Sequence, residues 1–409
     1  MKRLEVRFTR EPGQERAVGR LAETRGQVFF EYDPDFLQDP LWLSPFKLPP
    51  QSGLVEHRDH DFGPIFGLFD DSLPDGWGLL LMDRFFQQRG SALAELSVLD
   101  RLAYLGTRTM GALTYHPPST PGSLAVEWLD LHAMARASQQ VVEGRAGEVL
   151  PQLLRAGGSP GGARPKVLVG VRGDSILSGE ADLPPGYTHW MVKFHARQES
   201  PDAGPGELAY ALMAREAGLA MPPARLFETD QGERFFGVER FDRRGNHRYH
   251  VHTFGNLIQA NFRIPCCDYR QLLEVTRILT RNHRDVLECY RRMVFNVLAH
   301  NRDDHVKNFA FRMTDEGEWE LAPAYDLVFS PGPGGEHTLT VAGEGRAPAR
   351  RHLLQLAAPA GISDREAESI LEGVASAVVR WPVHARQVGM AAKSVRRVEK
   401  AISEALARL

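Results

Sequence analysis

The feature that most restricts the fold of this chain is a run of polar residues enclosed by two apolar segments within residues 295–311. The sequence FNVLAH is typical of an apolar helix, NRDDHVKN follows it, and FAF then reads as a short buried strand. Apolar segments on both sides anchor the polar loop and hold its carboxylates, amide and imidazole in fixed positions. Such a loop favours a functional site.

The spacing within this loop indicates phosphoryl-transfer chemistry. Asp303 and Asn308 stand five residues apart, as in the D-x-x-x-x-N catalytic loops of kinases. Asp326 follows Asn308 by eighteen residues, and the segment between them reads as a hairpin (309–313 and 319–322), which brings its ends together. An aspartate and an asparagine placed side by side suit Mg²⁺. The alternatives are a solvated loop with a capping asparagine, or a hydrolytic metal cluster of Asp303, Asp304 and His305.

A second group of motifs precedes this loop. Glycines in SPGGARPK (159–166) let backbone N–H groups converge on an anion, and Lys166 adds a positive charge, although a surface turn has the same composition. Lys193 lies in the strand WMVKF, and Glu207 on the following helix is the partner expected in a kinase. Alternatively, Lys193 protects an edge strand from aggregation. The strand end VERFD (238–242) stands where a kinase hinge would contact adenine.

Composition sets limits on the class of protein. The 409 residues are 43% hydrophobic and 25% charged, which is ordinary for a globular protein, and the net charge of −3 argues against DNA binding as the main activity. The three cysteines form no metal-ligand pattern and indicate reduced thiols. The sequence contains no run of 18 apolar residues, so it predicts no membrane-spanning helix. We therefore expect a cytoplasmic protein.

The pattern of elements changes twice along the chain. Short strands dominate residues 1–117, a Pro-rich break HPPSTPG follows, residues 123–250 combine strands with one helix, and residues 251–409 are mostly helical. We predict strands at 4–9, 27–32, 53–55, 111–115, 166–171, 190–194, 225–228 and 235–241, and helices at 73–90, 129–142, 207–218, 269–280 and 286–300. The capping box SDRE (363–366) opens a helical tail that Pro382 interrupts.

Taken together, these motifs resemble the HipA family of serine/threonine kinase toxins over nearly the whole chain. The matching segments are GLFDDSLPDGWG (67–78), LGTRTMGAL (105–113), SPGGARPK, WMVKF, VERFDR, NRDDHVKN and AYDL (324–327). The resemblance implies an α+β fold with a protein-kinase-like two-lobe core, in which a β-rich lobe (123–250) precedes a helical C-terminal lobe (251–409). An N-terminal β-rich subdomain (1–117) would come before that core.

The resemblance also implies roles for individual residues. Asp303 would be the catalytic base, with Asn308 and Asp326 holding Mg²⁺. Contacts to ATP would come from Gly161, Gly162, Ala163, Lys166, Lys193, Glu239, Phe241 and Tyr325. Ser159 would be a regulatory autophosphorylation site, where added negative charge repels the phosphates of ATP. Asp304 stands where some relatives carry glycine, so the choice of base between Asp303 and Asp304 stays open.

The implied partners are a helix-turn-helix antitoxin similar to HipB and a protein substrate such as an aminoacyl-tRNA synthetase. Contact with DNA would be indirect, through the antitoxin. Two other functions are compatible with the sequence, a small-molecule phosphotransferase and a catalytically silent co-repressor scaffold. The first does not explain the additional N-terminal subdomain, and the second does not require Lys193, Asp303, Asn308 and Asp326.

Overall fold

The computed structural model of the chain describes residues 1–119, 126–145, 151–157, 161–195 and 199–409. The strands are β1 (Lys2–Glu11), β2 (Gln14–Thr24), β3 (Gln27–Tyr32), β4 (Leu54–Glu56), β5 (Leu113–His116), β6 (Lys166–Arg172), β7 (Ser175–Ser178), β8 (Thr188–Lys193), β9 (Ala224–Glu228), β10 (Arg234–Glu239), β11 (Arg243–Arg244), β12 (His247–Arg248), β13 (Val251–Thr253), β14 (Ala310–Met313) and β15 (Trp319–Leu321).

The α-helices are α1 (Gly67–Asp70), α2 (Gly76–Gln87), α3 (Val98–Leu105), α4 (Leu131–Val142), α5 (Pro151–Ala156), α6 (Ala203–Glu216), α7 (Phe254–Ile258), α8 (Tyr269–Thr280), α9 (His283–Leu298), α10 (Arg350–Gln355), α11 (Asp364–Val378), α12 (Trp381–Gln387) and α13 (Ala392–Leu406). Among the described residues, no helix is long and apolar enough to cross a membrane.

The chain divides into two compact units that are interleaved in sequence. The first unit consists of residues 1–199, 227–252 and 256–259, and the second consists of residues 200–226, 253–255 and 260–409. The polypeptide therefore passes from one unit to the other five times. The predicted domain 1–117 lies in the first unit, whereas the predicted domain 123–250 is divided, with its residues 200–226 in the second unit. Most of residues 251–409 lie in the second unit.

The first unit begins with an antiparallel sheet of five strands in the order β4-β3-β2-β1-β5. Leu4, Val6 and Phe8 alternate along β1 and are all buried, as their spacing predicts. Strand β2 was not predicted, because its sequence QERAVGRLAET has few apolar residues. Its pairing with β1 on one side and β3 on the other supplies the stability that side-chain burial alone does not.

A second five-stranded sheet has the order β7-β6-β8-β10-β9, and all of its strands except β9 lie wholly in the first unit. Val167 and Val169 of β6 are fully buried in a core that also contains Trp77 and Leu81 of α2. Helix α2 begins at Gly76, later than the predicted position 73, because Asp75 still has an extended backbone with φ −116° and ψ −179°. Pro74 therefore precedes the helix and is not part of its first turn.

The second unit is mainly helical, as predicted. Helix α8 has the predicted bounds, and helix α11 begins with the predicted capping box, in which Ser363 Oγ accepts the Glu366 N–H and the Glu366 carboxylate accepts the Ser363 N–H. The tail that follows has a break before α12, which carries Pro382 in its first turn. Strands β14 and β15 form the predicted hairpin, with Arg312 opposite Glu320.

Candidate active site

The loop 301–308 of the second unit follows α9 and is fixed by buried polar contacts at its start. The side-chain amide of Asn301 donates to Asn296 Oδ1 at 3.0 Å, and the Asn296 amide in turn donates to the Tyr269 hydroxyl at 2.9 Å. All three side chains are almost completely buried. Because buried polar groups need partners, this chain of hydrogen bonds gives the loop a defined starting position relative to α8 and α9.

Asp304 continues this network into the core. Its side chain has no exposed surface, and its carboxylate accepts hydrogen bonds from the Tyr269 hydroxyl (2.7 Å), the His337 Nδ1–H (2.9 Å) and the Thr338 backbone N–H (2.9 Å). A carboxylate that is buried and bound by three donors is inaccessible to an incoming hydroxyl group. Asp304 therefore anchors the loop.

Asp303 has the opposite environment. It is exposed to solvent, but protein atoms around it partly exclude water, and this desolvation raises the pKa of its carboxyl group. The nearby imidazole of His305 counteracts that rise, whereas the negative charges of Asp326 and Asp304 add to it. A carboxylate that is accessible and more basic than usual is suited to accept a proton.

The end of the hairpin returns to this loop, as the sequence predicts. The Tyr325 hydroxyl donates to the Lys307 carbonyl at 2.6 Å, and the charge of Asp326 acts on Asp303. Asp326 has φ +52°, a left-handed conformation that is uncommon for a residue with a side chain and is frequent at functional sites. The Asn308 amide donates to the Asp303 carbonyl at 2.6 Å, which closes the loop.

The oxygen atoms of this loop suit a hard cation. Magnesium takes oxygen ligands and keeps several waters, so the Asp326 carboxylate and the Asn308 amide oxygen would be sufficient protein ligands. The pKa of Asp303 is raised first by desolvation and further by the negative charge of Asp326, and a bound cation would relieve the repulsion between these two carboxylates. Within the described parts of the chain, no three His, Cys, Asp or Glu side chains are grouped to hold a metal, and the hydrolytic cluster with Asp304 and His305 does not form.

The two lysines predicted to contact ATP are brought together in the first unit. Lys166 at the start of β6 lies directly opposite Lys193 at the end of β8, and the two residues are only 4% and 9% exposed. Strand β8 lies between β6 and β10, so the alternative explanation of Lys193 as an edge-strand lysine is wrong. Two like charges at directly opposite, buried positions destabilise a sheet unless an anion compensates them.

The glycine-rich segment beside Lys166 is described from residue 161 onward, and Ser159 lies outside the described residues. The Lys166 ammonium donates to the Gly161 carbonyl. Gly162 has φ +93°, a backbone conformation that residues with a side chain rarely adopt, and a Cβ atom there would lie 2.5 Å from Lys166 Nζ. Ala163 follows in the same turn, which leads directly into β6.

The segment predicted as the adenine-binding hinge is fixed by a buried ion pair. Glu239 ends β10 and Phe241 follows it, next to Asp242, whose carboxylate accepts two hydrogen bonds from Arg240 at 2.8 and 2.9 Å. Burial alone would raise the pKa of Asp242, but the charges of Arg240 and Arg243 hold it well below its usual range. The Gly111 N–H also donates to Asp242 at 2.8 Å.

Other contacts were not apparent from the sequence. Tyr269 and His337 are each more than thirty residues from Asp304, and nothing in their local sequence indicates this partner. Trp77 donates its indole N–H to the Lys166 carbonyl at 2.9 Å across eighty-nine positions. Glu207 is buried on α6 in the second unit, and its pairing with Lys193 stays a prediction.

Comparison with solved structures agrees with this description. HipA of Shewanella oneidensis MR-1, determined in complex with HipB and its operator DNA, shares 18% sequence identity with a TM-score of 0.73, and the alignment covers 99% of this chain and 96% of that chain. At this level of identity the likeness shows the fold alone, and it confirms the predicted α+β class with a kinase-like core.

Comparison with curated sequences gives a partial match. The Sinorhizobium fredii (strain NBRC 101917 / NGR234) protein named "Putative kinase Y4dM" is 29% identical over 223 residues, which are 50% of this chain. The chain spans about half (54%) of the length of that curated relative.

Family models cover most of the chain. Residues 13–116 match the HipA N-terminal domain, and residues 158–381 match the HipA-like C-terminal domain. The second model alone spans more than half of the 409 residues and includes the loops built around Lys166, Lys193, Asp303 and Asp326. The chain belongs to the HipA family.

Proposed function

We propose that this chain is a protein serine/threonine kinase that uses ATP and Mg²⁺ and acts as the toxin of a toxin–antitoxin pair. The observation that carries the proposal is the pair of buried lysines, Lys166 and Lys193, at directly opposite positions of β6 and β8. An anion with several negative charges, such as the phosphates of a nucleotide, is the ligand that such a pair favours. The glycines at 161 and 162 allow the backbone to approach it closely.

Residues of the second unit would carry the catalytic roles. Asp303 would accept the proton of the acceptor hydroxyl, because its carboxyl is accessible and its pKa is raised, whereas Asp304 is buried and bound by three donors. Asn308 and Asp326 would hold Mg²⁺, which neutralises the charge that develops on the phosphates during transfer. Tyr325 would keep the metal-binding turn in place through its bond to the Lys307 carbonyl.

The remaining features of the proposal rest on family membership. Glu239 and Phe241 would offer backbone groups to adenine, and Ser159 would be an autophosphorylation site. The Shewanella oneidensis HipA was solved with HipB and operator DNA, which supports a HipB-like antitoxin as partner and a contact with DNA through it. The acceptor would be a serine or threonine of a protein, with an aminoacyl-tRNA synthetase as the first candidate to test.

The test is intact-mass spectrometry before and after incubation with ATP and Mg²⁺. We expect the chain to gain one phosphate that maps to Ser159, and Asp303→Asn to slow this gain about 10²–10⁴-fold, as loss of a general base does. Asp315→Asn, an exposed aspartate in the turn between β14 and β15, is the matched control and should react normally. A normal rate in Asp303→Asn would contradict the assignment of the base. No gain of phosphate on an unmodified chain would favour the silent scaffold.

A further inference from the structure

The aspartate immediately before α2 makes an unusual contact. Asp75 occupies the N-cap position of this helix, where an aspartate normally accepts N–H groups of its own first turn. Its side chain makes no such cap here. Asp75 Oδ1 instead accepts the backbone N–H of Gly162, in the glycine-rich loop beside β6. The helix gives up a cap for this contact, which indicates that the contact with the loop has a role of its own.

The neighbours of Asp75 complete the contact with the loop. The Trp77 backbone N–H donates to the Gly162 carbonyl at 3.0 Å, so both backbone polar groups of Gly162 are bound by the start of α2. Gly76, between them, has φ +40°, and a Cβ atom there would lie 2.7 Å from the Gly162 carbonyl oxygen. The sequence Asp-Gly-Trp at 75–77 is therefore fitted to the loop, and a side chain at position 76 would separate the two segments.

The chemistry of the contact is that of an anion in a glycine-rich loop. Backbone N–H groups in such loops bind phosphate oxygens, and a carboxylate oxygen resembles a phosphate oxygen in charge and in the donors it accepts. Asp75 Oδ1 also lies against Gly161, where a Cβ atom would be 3.1 Å from it. A negatively charged oxygen thus occupies the side of the loop on which a phosphate would accept the Gly162 N–H.

We propose that Asp75 is an internal competitor of the nucleotide, whose carboxylate must leave the Gly162 N–H before a phosphate can bind there. This inference rests on the proposed function, because it takes residues 161–166 to be a phosphate loop. It gives the family's N-terminal domain, which contains Asp75, a part in setting nucleotide affinity.

A different role for Asp75 would be to anchor the loop in a shape that favours the nucleotide. Asp75→Asn separates the two roles, since asparagine has the same shape and keeps an acceptor oxygen but has no negative charge. Competition predicts that Asp75→Asn binds polyphosphate more tightly, by about three- to tenfold, the difference between hydrogen bonds with charged and neutral acceptors. Anchoring predicts unchanged or weaker binding.

The experiment is calorimetric titration of the full-length chain, carrying Asp303→Asn so that bound ATP is not consumed. The two probes are ATP with Mg²⁺ and inorganic tripolyphosphate, which has no adenine. Asp83→Asn is the matched control, because Asp83 lies on the same helix and bonds to Gln87 at 2.8 Å, away from the loop. We expect Asp75→Asn to tighten the binding of both probes and Asp83→Asn to leave both unchanged.

Equal or weaker binding of tripolyphosphate by Asp75→Asn would overturn the inference, as would the absence of any tripolyphosphate binding. If tripolyphosphate binds more tightly to Asp75→Asn but neither protein binds ATP, the proposed kinase function fails and the inference about the loop stands. If Asp75→Asn does not fold, Asp75→Ser replaces it in both titrations, since serine suits the start of a helix and carries no charge.

Discussion

Lys166 and Lys193 place two ammonium groups at opposite positions of neighbouring strands, in a part of the first unit that solvent hardly reaches. The ring of Phe236, the partner of Lys193 on β10, lies 5.7 Å from Lys193 Nζ and offers its face to the cation. A cation–π contact offsets only part of the cost of burying a charge. The phosphates of a bound nucleotide would add negative charge beside both ammonium groups.

Lys193→Met tests this interaction, because methionine keeps much of the side-chain volume and removes the charge. We expect the nucleotide-free variant to remain folded. We also expect a smaller rise in Tm on addition of ATP and Mg²⁺. A ligand at 100 times its Kd stabilises by about 2.7 kcal/mol, and a tenfold loss of affinity removes about 1.4 kcal/mol of that.

Thermal unfolding with and without ATP and Mg²⁺ provides the measurement. Lys47→Met is the control, since Lys47 is an exposed lysine of the same unit and should not affect stabilisation by ATP. A rise in Tm on addition of ATP and Mg²⁺ that equals the rise of the parent protein would contradict the proposed contact of Lys193 with the nucleotide.

At the scale of elements, Tyr269 links the loop 301–308 to α8. Tyr269 is the first residue of α8, and its hydroxyl donates to Asp304 and accepts the Asn296 amide. Tyr269→Phe would leave a fully buried carboxylate with two donors in place of three. We expect a loss of about 1–3 kcal/mol in the free energy of unfolding, the usual cost of an unsatisfied buried polar group, together with slower phosphate transfer.

Tyr290→Phe is the matched comparison for this variant. Tyr290 is also buried in the second unit, and its hydroxyl donates to the Leu353 carbonyl at 3.0 Å, away from the loop. Chemical denaturation should show that both variants are destabilised, whereas a phosphate-transfer assay should show a slower rate for Tyr269→Phe alone. Equal rates for the two variants would mean that Asp304 does not position the loop.

The elements that the sequence predicts well are those whose stability is local. The capping box at Ser363 and the β14–β15 hairpin each depend on residues a few positions apart, and both are found as predicted. The contacts of Asp304 and Gly162 could not be predicted, because their partners lie thirty-three or more positions away and carry no local signal. The sequence predicts only that Asp75 lies at the start of a helix. Its hydrogen bond with the Gly162 N–H depends on the tertiary structure.

In the candidate site too, features set by nearby residues are predictable from the sequence, and features set by distant residues are not. Spacing alone predicts that Asp326 returns to the loop of Asp303 and Asn308, since a hairpin joins them. Lys193 lies on a central strand because β10, which is distant in sequence, pairs with the side of β8 opposite to β6. The sequence alone therefore allows Lys193 to lie on an edge strand, whereas the folded sheet places it on a central strand.

At the scale of the whole molecule, no single cut separates the first unit from all residues of the second unit. The first unit's segment 1–199 lacks β10, which pairs with β8 at four positions and lies in segment 227–252. Without β10, the strand that carries the fully buried Val192 loses one neighbour. We expect a fragment of residues 1–199 to unfold less cooperatively than a fragment that also contains β10.

Circular dichroism of the fragment during heating is the measurement. A fragment of residues 1–259 is the comparison, because it contains every segment of the first unit, and its transition should be sharper. Equally sharp transitions of the two fragments would show that β10 is dispensable for this sheet.

The interleaving of the two units also has a consequence for synthesis on the ribosome. Strands β6 and β8 are translated well before β10, which ends at Glu239. During that interval β8 is an edge strand of a nascent sheet, with unpaired backbone groups that could join another emerging chain. Lys193 then lies on this temporary edge, where its charge discourages such pairing. The same lysine can thus protect the growing polypeptide before the complete sheet encloses it.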